Sequence, residues 1–256
     1  MNGKHFAFFM SFTYFAIGFS PITALAIAII GVLPLPVTTL LIVLPATLLG
    51  IGLALWFPAY GKLALKGLLI GLIAVFLYDC MRVPFILTGI WGDFIPKINM
   101  LLFNTSQPNW VVGYIWRYIG DGGFMGMAFT VAYCLLKPRV DARIAGVAFG
   151  LAIWLCLLGT LILAPHGQET LFKLTLTTLS LSLVGHLIYG MALGTLLPYV
   201  LREKIAATEP AMATIDRSQV VLAVPAGEEA TVILPPLLRL RPIWEHKTTQ
   251  LSVAIQ

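Results

Sequence analysis

The chain has 256 residues, of which 59% are hydrophobic and only 11% are charged. Because a soluble domain carries roughly 25% charged residues, this composition excludes an ordinary water-soluble protein and indicates a surface that faces lipid. The net charge of +5 comes without any basic run interleaved with aromatic residues, which argues against a nucleic-acid partner.

Six apolar stretches follow one another along the chain, and each is long enough to cross the roughly 30 Å hydrocarbon core of a bilayer. Backbone groups in lipid must bond to one another, so each stretch is expected to be an α-helix. Pro21 predicts a kink or a break in the first of them. The sequence therefore predicts an all-α integral membrane bundle over residues 1–204. The predicted spans are residues 6–32, 37–57, 65–87, 110–136, 144–164 and 171–201.

The distribution of basic residues predicts the orientation of the bundle. With six spans, the segments on one side of the membrane carry only Lys97, whereas those on the other side carry eight basic residues. Cytoplasmic loops are enriched in Lys and Arg, so both termini are predicted to be cytoplasmic, in a cell (inner) membrane. One alternative stays open, because Lys4 and the triplet at residues 24–26 also fit a cleaved signal peptide. The eight basic residues are Lys4, Lys62, Lys66, Lys137, Arg139, Arg143, Arg202 and Lys204.

Two segments outside the spans are candidate docking surfaces for a partner in a membrane complex. The outer loop of residues 88–109 contains an apolar stretch, residues 94–103, that is too short to cross the bilayer. This stretch is expected to lie on the membrane surface or to re-enter it. Residues 205–256 form a predicted cytoplasmic tail, either mostly disordered or folded into a short hairpin. The lipid bilayer itself is the partner that the composition requires.

Ionisable residues within the predicted third, fourth and sixth spans form the main candidate site. Asp79 and Arg82 stand three residues apart, so they share one helix face. Arg117 and Asp121 stand four apart and also share a face. A rise of about 1.5 Å per residue puts the two acids at one depth and the two arginines at another, so Asp79 is expected to pair diagonally with Arg117. Arg82 is expected to pair with Asp121 in the same way, and His186 lies near the depth of the acids.

The sixth span also carries small and polar residues at intervals of four, which form one stripe along a helix. Small residues let helix backbones approach, and hydroxyl groups can bond across helices. Four glycines around Asp121 permit close contact with another helix or a local irregularity of the backbone. The stripe consists of Thr178, Ser182, His186, Gly190 and Gly194, and the glycines are Gly120, Gly122, Gly123 and Gly126.

Two interpretations of the buried charges stay open. In one, ion pairs only hold the helices together, because an unpaired charge at the bilayer centre costs about 2.5–3.5 kcal/mol. In the other, Asp79 and Asp121 share a proton or bind a cation, and His186 relays protons. A metal site made of these three residues is a weaker alternative, because it lacks a second histidine at helical spacing. A haem held by two histidines is not expected, and the sequence names no cofactor.

Two segments resemble patterns in uncharacterised multi-pass membrane proteins of bacteria and archaea. They are YDCMRVPF at residues 78–85, in the third span, and GHLIYGMALG at residues 185–194, in the sixth. The resemblance implies a prokaryotic plasma membrane or thylakoid-type membrane. It brings no activity with it.

The sequence favours binding or translocation of a small solute or ion, linked to protonation of the cluster formed by Asp79, Arg82, Arg117, Asp121 and His186. The alternative is a non-catalytic subunit or assembly factor of a larger membrane complex. A membrane-embedded enzyme is the third hypothesis. It is less favoured, because the sequence has no phosphate-binding loop, nucleophile elbow or HExxH motif.

Overall fold

Six long helices dominate the computed structural model, which describes residues 3–136 and 138–206. All six are apolar and long enough to cross a bilayer, and no strand occurs in the described ranges. The predicted all-α bundle is therefore confirmed, and the chain is a multi-pass membrane protein. The helices are α1 Gly3–Ile30, α2 Leu35–Trp56, α3 Pro58–Leu87, α4 Trp110–Leu136, α5 Ala142–Leu163 and α6 Leu176–Ala206.

Two helices begin far from the residue at which the sequence pattern predicts their start, whereas the other four begin within three residues of it. α3 begins at Pro58 instead of residue 65, because proline fits the first turn of a helix, where its missing N–H needs no partner. α6 begins at Leu176 instead of residue 171. There the hydroxyl of Thr175 accepts a hydrogen bond from the backbone N–H of Thr178 at 3.2 Å, as a helix N-cap does. Lys173 thus lies in the connection before α6, and the orientation of the bundle stays a prediction.

α1 runs through Pro21 without the break that the sequence allowed. Proline has no N–H, so the carbonyl of Ile17, one turn earlier, loses its usual backbone donor. The hydroxyl of Ser20 donates to that carbonyl at 2.8 Å. The neighbouring side chain therefore replaces the missing hydrogen bond, and the helix continues.

Glycines bring α3 and α4 into direct backbone contact. A Cβ atom at Gly71 would lie 2.2 Å from the carbonyl oxygen of Gly122, and one at Gly126 would lie 2.4 Å from the Cα of Gly71. The same part of α4, Trp116–Phe124, is wound as a π-helix. Both outcomes expected for the glycines around Asp121, close contact and an irregular backbone, are therefore confirmed.

α5 and α6 pack in the same close manner, through the stripe predicted on α6. A Cβ atom at Gly190 would lie 2.2 Å from the carbonyl oxygen of Gly146, and one at Gly194 would lie 2.2 Å from that of Ala142. Ser182 is fully buried, and its hydroxyl accepts a hydrogen bond from the indole of Trp154 at 3.0 Å. The stripe is thus an interface between helices, as the spacing of four residues predicts.

The loop of residues 88–109 folds back on the end of the bundle. It contains a 3₁₀ turn at Ile95–Lys97 and a short helix at Ile98–Phe103, and both isoleucines are buried. Asn109 then caps α4 by accepting a hydrogen bond from the backbone N–H of Val112 at 3.2 Å. We call the end of the bundle that carries this loop the loop side.

The predicted tail, residues 205–256, lies outside the described residues except for its first two positions, which belong to α6. The division into a bundle over residues 1–204 and a separate tail therefore stays a prediction.

Candidate functional site

Asp79 on α3 lies between the two arginines of the predicted site. Its Oδ1 atom is 3.3 Å from Nη2 of Arg117 and 3.4 Å from Nη1 of Arg82. Nη1 of Arg117 also lies 3.9 Å from Oδ2 of Asp121. The diagonal pair of Asp79 and Arg117, expected from the depths of the two helices, is confirmed. Because Asp79 receives both arginines, it is the centre of a buried ionic network.

Arg82 has a second partner that the sequence pattern did not single out. Its Nη2 atom pairs with Oδ1 of Asp93, in the loop of residues 88–109, and not with Asp121. Asp93 also accepts hydrogen bonds from the backbone N–H of Ile95 and from the hydroxyl of Tyr114, both at 3.1 Å. The signal available in the sequence was an acid directly before the apolar stretch of a loop that otherwise lacks acids. Helical spacing could not connect this acid with a helix eleven residues away.

Aromatic rings cover the loop side of the network. The guanidinium carbon of Arg82 lies 5.8 Å from the ring centre of Trp91 and 5.4 Å from that of Phe94. Both rings also contact Phe172, with ring centres 5.7 Å and 6.0 Å apart. We call Trp91, Phe94 and Phe172 the aromatic roof. Since a cation over an aromatic face is attracted to it, the roof both shields and stabilises Arg82.

His186 completes the set of predicted residues, but it stands apart from the ion pairs. Its Nδ1 atom lies 2.7 Å from the backbone carbonyl of Ser182, which can only accept, so Nδ1 carries the proton. The ring of Tyr78 meets the imidazole edge to face, with 5.3 Å between ring centres. Tyr78 in turn lies under the guanidinium of Arg117, at 4.5 Å from its ring centre. The tyrosine therefore separates the histidine from the arginine.

A cavity of about 260 Å³ lies beside the network. Arg82, Arg117, Asp121 and His186 form its polar wall, and most of its remaining lining is apolar. A cleft with an apolar lining and a few convergent polar groups is the usual form of a small-molecule site. Four of the five predicted site residues therefore line one cavity. The fifth, Asp79, is outside the lining and pairs with both arginines. The opposite walls come from α1, through residues such as Ile22 and Ala26, and from α5, through Ile153, Leu157 and Thr160.

Asp121 is the acid of this cavity with the weakest pairing. The residue is only 7% exposed, and its Oδ1 atom has no hydrogen-bond partner. The indole of Trp116 lies near the carboxylate, but its nitrogen also completes no hydrogen bond. The contact with Arg117, at 3.9 Å, is long for an ion pair. Asp121 thus lines the cavity with a carboxylate whose bonding capacity is largely unused.

Charge is unbalanced in this part of the bundle. Among the described residues of the network, three carboxylates face two guanidinium groups, those of Arg82 and Arg117. The network therefore carries one surplus negative charge when all five groups are ionised. A surplus charge in a low-dielectric environment is costly unless a proton or a cation neutralises it. The three carboxylates belong to Asp79, Asp93 and Asp121.

No group of three His, Cys, Asp or Glu side chains in residues 3–136 and 138–206 is arranged to hold a metal ion. Asp79 and Asp121 are instead occupied by arginine, and His186 by a backbone carbonyl. Beside the two guanidinium groups, the cavity wall thus offers one carboxylate and one imidazole, which are too few ligands for a metal.

Residues 62–207 match the model of a family of unknown function, DUF6789. The match covers α3 from its second turn, the loop of residues 88–109 and α4 to α6, and so includes every charged residue of the network. No curated protein and no solved structure matches the chain.

Proposed function

The chain belongs to the family DUF6789, and for this member we propose binding or translocation of a small solute or ion, linked to protonation of the buried cluster. The solute that suits the cavity is a small organic cation. In the free protein a proton on the cluster neutralises the surplus charge. When the cation binds, it takes over that role and the proton leaves.

The observation that carries this proposal is that Asp121 lines the cavity while its buried Oδ1 atom has no hydrogen-bond partner. A purely structural network would pair each acid, because removing a charge from water is repaid only by good partners. Asp79 and Asp93 each contact at least one arginine closely, although Oδ2 of Asp79, a residue outside the cavity lining, also has no hydrogen-bond partner. Asp121 has no arginine that close, so it is the group at which a proton and a cation would compete.

His186 supports the second half of the proposal, the movement of the proton. Because Nδ1 donates to the carbonyl of Ser182, Nε2 carries the free lone pair and is the atom that can take up a proton. The residue lines the same cavity as Asp121. We assign His186 as the relay through which the proton reaches or leaves the cavity.

The test uses benzyltrimethylammonium and the purified protein in lipid nanodiscs, followed by isothermal titration calorimetry. This cation has a small apolar ring and no titratable proton, so any proton released on binding comes from the protein. Titrations in two buffers with different ionisation enthalpies give the number released. We expect release of about one proton per bound cation, as linkage between the two ligands requires.

Asp121→Asn is the decisive variant, because Asp79→Asn would also break the ion pairs of α3 and α4. We expect Asp121→Asn to weaken binding by about tenfold or more and to abolish proton release, since a close desolvated charge pair is worth at least that much. Asp141→Asn is the matched control. Asp141 is an exposed N-cap of α5, far along that helix from the cavity, and asparagine caps equally well. Equal binding and equal proton release in the two variants would refute the proposal.

The alternative is a subunit or assembly factor that docks through the loop of residues 88–109 or through the tail. The burial of part of this loop weakens the first of these two arguments. Ile95 and Ile98 of its apolar stretch are buried against the bundle, so they are not available to a partner. Phe103 is the large apolar side chain of the stretch that remains exposed, at 60%. The alternative then depends mainly on the tail, and co-purification with and without residues 207–256 distinguishes the two hypotheses.

A further inference from the structure

The cavity beside Asp121 opens sideways, between α1 and α5. Thr23 on α1 and Cys156 on α5 both line the cavity and are both exposed on the surface of the bundle. At about 1.5 Å per residue, both lie within about 10 Å of the middle of their helices. The hydrocarbon core extends roughly 15 Å to each side of that middle. The opening therefore faces the lipid chains. We call this opening, which Thr23 and Cys156 border, the lateral portal.

Aromatic side chains border the portal above and below. Towards the loop side, Phe94 and Phe172 of the aromatic roof line the cavity. Towards the other side, α1 meets α5 through Phe19 and Phe149, whose ring centres are 5.8 Å apart, edge to face. Phe19 also lines the cavity and so forms its floor. The opening between α1 and α5 thus includes the depth of the lipid chains at Thr23 and Cys156, and it continues along α1 to the exposed Ile30 at the end of that helix.

The size of the cavity limits what enters it. Pockets that enclose a drug-sized ligand measure roughly 300–1,000 Å³, and this one measures about 260 Å³. It holds a head group but not a long apolar chain as well. A chain attached to that head group would extend through the portal, along Thr23 and Cys156, into the bilayer.

We propose that the lateral portal admits a long-chain amphipathic cation from the bilayer, with its cationic head at Asp121 and its alkyl chain between α1 and α5. This inference rests on the proposed function and names the class of its solute. The charge of the head follows from the surplus carboxylate, and the chain follows from a portal whose surroundings are hydrocarbon. Such a molecule is concentrated in the membrane and reaches the cavity without crossing water.

Photocrosslinking in lipid nanodiscs tests the proposal. The probe is a long-chain alkyltrimethylammonium with a diazirine in its chain, and the adducts are mapped by peptide mass spectrometry. We expect adducts at residues 23–30 and 153–160 at about ten times the level found on α2, which faces lipid along most of its length. A diazirine-bearing alcohol of the same chain length is the neutral comparison, and it is expected to label all three segments evenly.

Two variants separate a specific site from a lipid groove. Asp121→Asn removes the charge that holds the head, and we expect it to reduce the labelling of residues 23–30 and 153–160 to the level of α2. Cys156→Trp fills the portal and is expected to do the same, with Cys80→Trp as its control, because Cys80 is exposed on α3 and does not line the cavity. Thr23→Trp provides a second block on the other wall if Cys156→Trp does not fold.

The outcomes distinguish this inference from the proposed function. Release of a proton by benzyltrimethylammonium without enriched labelling at the portal would overturn the lateral route and leave the proposed function intact. Absence of both effects would overturn both. Enriched labelling that survives Asp121→Asn would show a groove for lipid chains with no cationic site, and would also overturn the inference.

Discussion

Three donors converge on the carboxylate of Asp93, a residue of the loop of residues 88–109. They are the guanidinium of Arg82, the backbone N–H of Ile95 and the hydroxyl of Tyr114. Because Ile95 and Tyr114 belong to the loop and to α4, this one side chain connects α3, the loop and α4. Asp93 thus fixes the loop over the ionic network while it neutralises Arg82.

Asp93→Asn is expected to lower the free energy of unfolding by about 3 kcal/mol, because it removes the closest partner of the buried Arg82 and leaves only the longer contact with Asp79. Arg82 is 1% exposed and has no access to water that could replace the lost partner. Equilibrium unfolding of the purified protein in mixed micelles measures the change. Asp141→Asn, at an exposed acid, should change it by less than about 0.5 kcal/mol. A similar small change for Asp93→Asn would mean that the ion pair contributes little.

Spacing predicts contacts between helices better than contacts with loops. The pair of Asp79 and Arg117 follows from two sequence distances and the constant rise of a helix, and the structure contains it. The second pair predicted from the same rise, Arg82 with Asp121, is wrong, because Arg82 pairs instead with Asp93 of a loop, which has no fixed rise per residue. The chain reverses after Gly89, whose φ of +73° is favourable only for glycine, and this turn carries Asp93 back to α3.

At the scale of single elements, α1 shows how a helix continues through a proline. Ser20→Ala is expected to destabilise the protein by about 1 kcal/mol, because the carbonyl of Ile17 then has no donor in a buried environment. The double variant Ser20→Ala with Pro21→Ala should regain stability relative to the single variant, because alanine restores the backbone N–H. Thermal melting in detergent measures both. Equal destabilisation by both variants would show that the serine hydroxyl has another role.

The interface between α5 and α6 depends on its glycines. Gly190→Ala is expected to cost about 1–3 kcal/mol, since its Cβ would lie 2.2 Å from the carbonyl oxygen of Gly146 and the helices would have to separate. Gly159→Ala is the matched control on α5, because nothing lies within 4 Å of its Cβ position. There, alanine should be neutral or stabilising by up to about 1 kcal/mol. The same unfolding assay compares the two, and equal effects would contradict the close packing.

Helix types were predictable, whereas helix ends were less so. Long apolar stretches in lipid leave the backbone no alternative to a helix, so all six helices follow from composition. The start of α6 depends instead on Thr175 and Thr178, whose reciprocal hydrogen bonds form only once the chain has turned. The apolar pattern alone predicts that this helix begins at Leu171. In the structure Leu171 is buried but lies before the helix.

At the scale of the whole molecule, the distribution of basic residues predicts that the loop side faces away from the cytoplasm. Ser106 lies on the loop side and Arg139 lies between α4 and α5, and both are exposed. In intact cells, Ser106→Cys should react with a membrane-impermeant maleimide, and Arg139→Cys should react only after permeabilisation. The three native cysteines lie within membrane-spanning helices, and the unmodified chain provides the background. The reverse pattern would invert the orientation and place the aromatic roof on the cytoplasmic side.

The π-helical winding of Trp116–Phe124 makes the direction of a side chain depend on the number of residues before it. A π-helical turn holds about one residue more than an α-helical turn. Deleting the half-exposed Ile119 would therefore let this turn rewind as an α-helix while Gly122 and Gly126 stay fixed against α3. The wide turn that carries Arg117 and Asp121 would close although no charged residue had changed, so the extra residue is itself part of the ionic network.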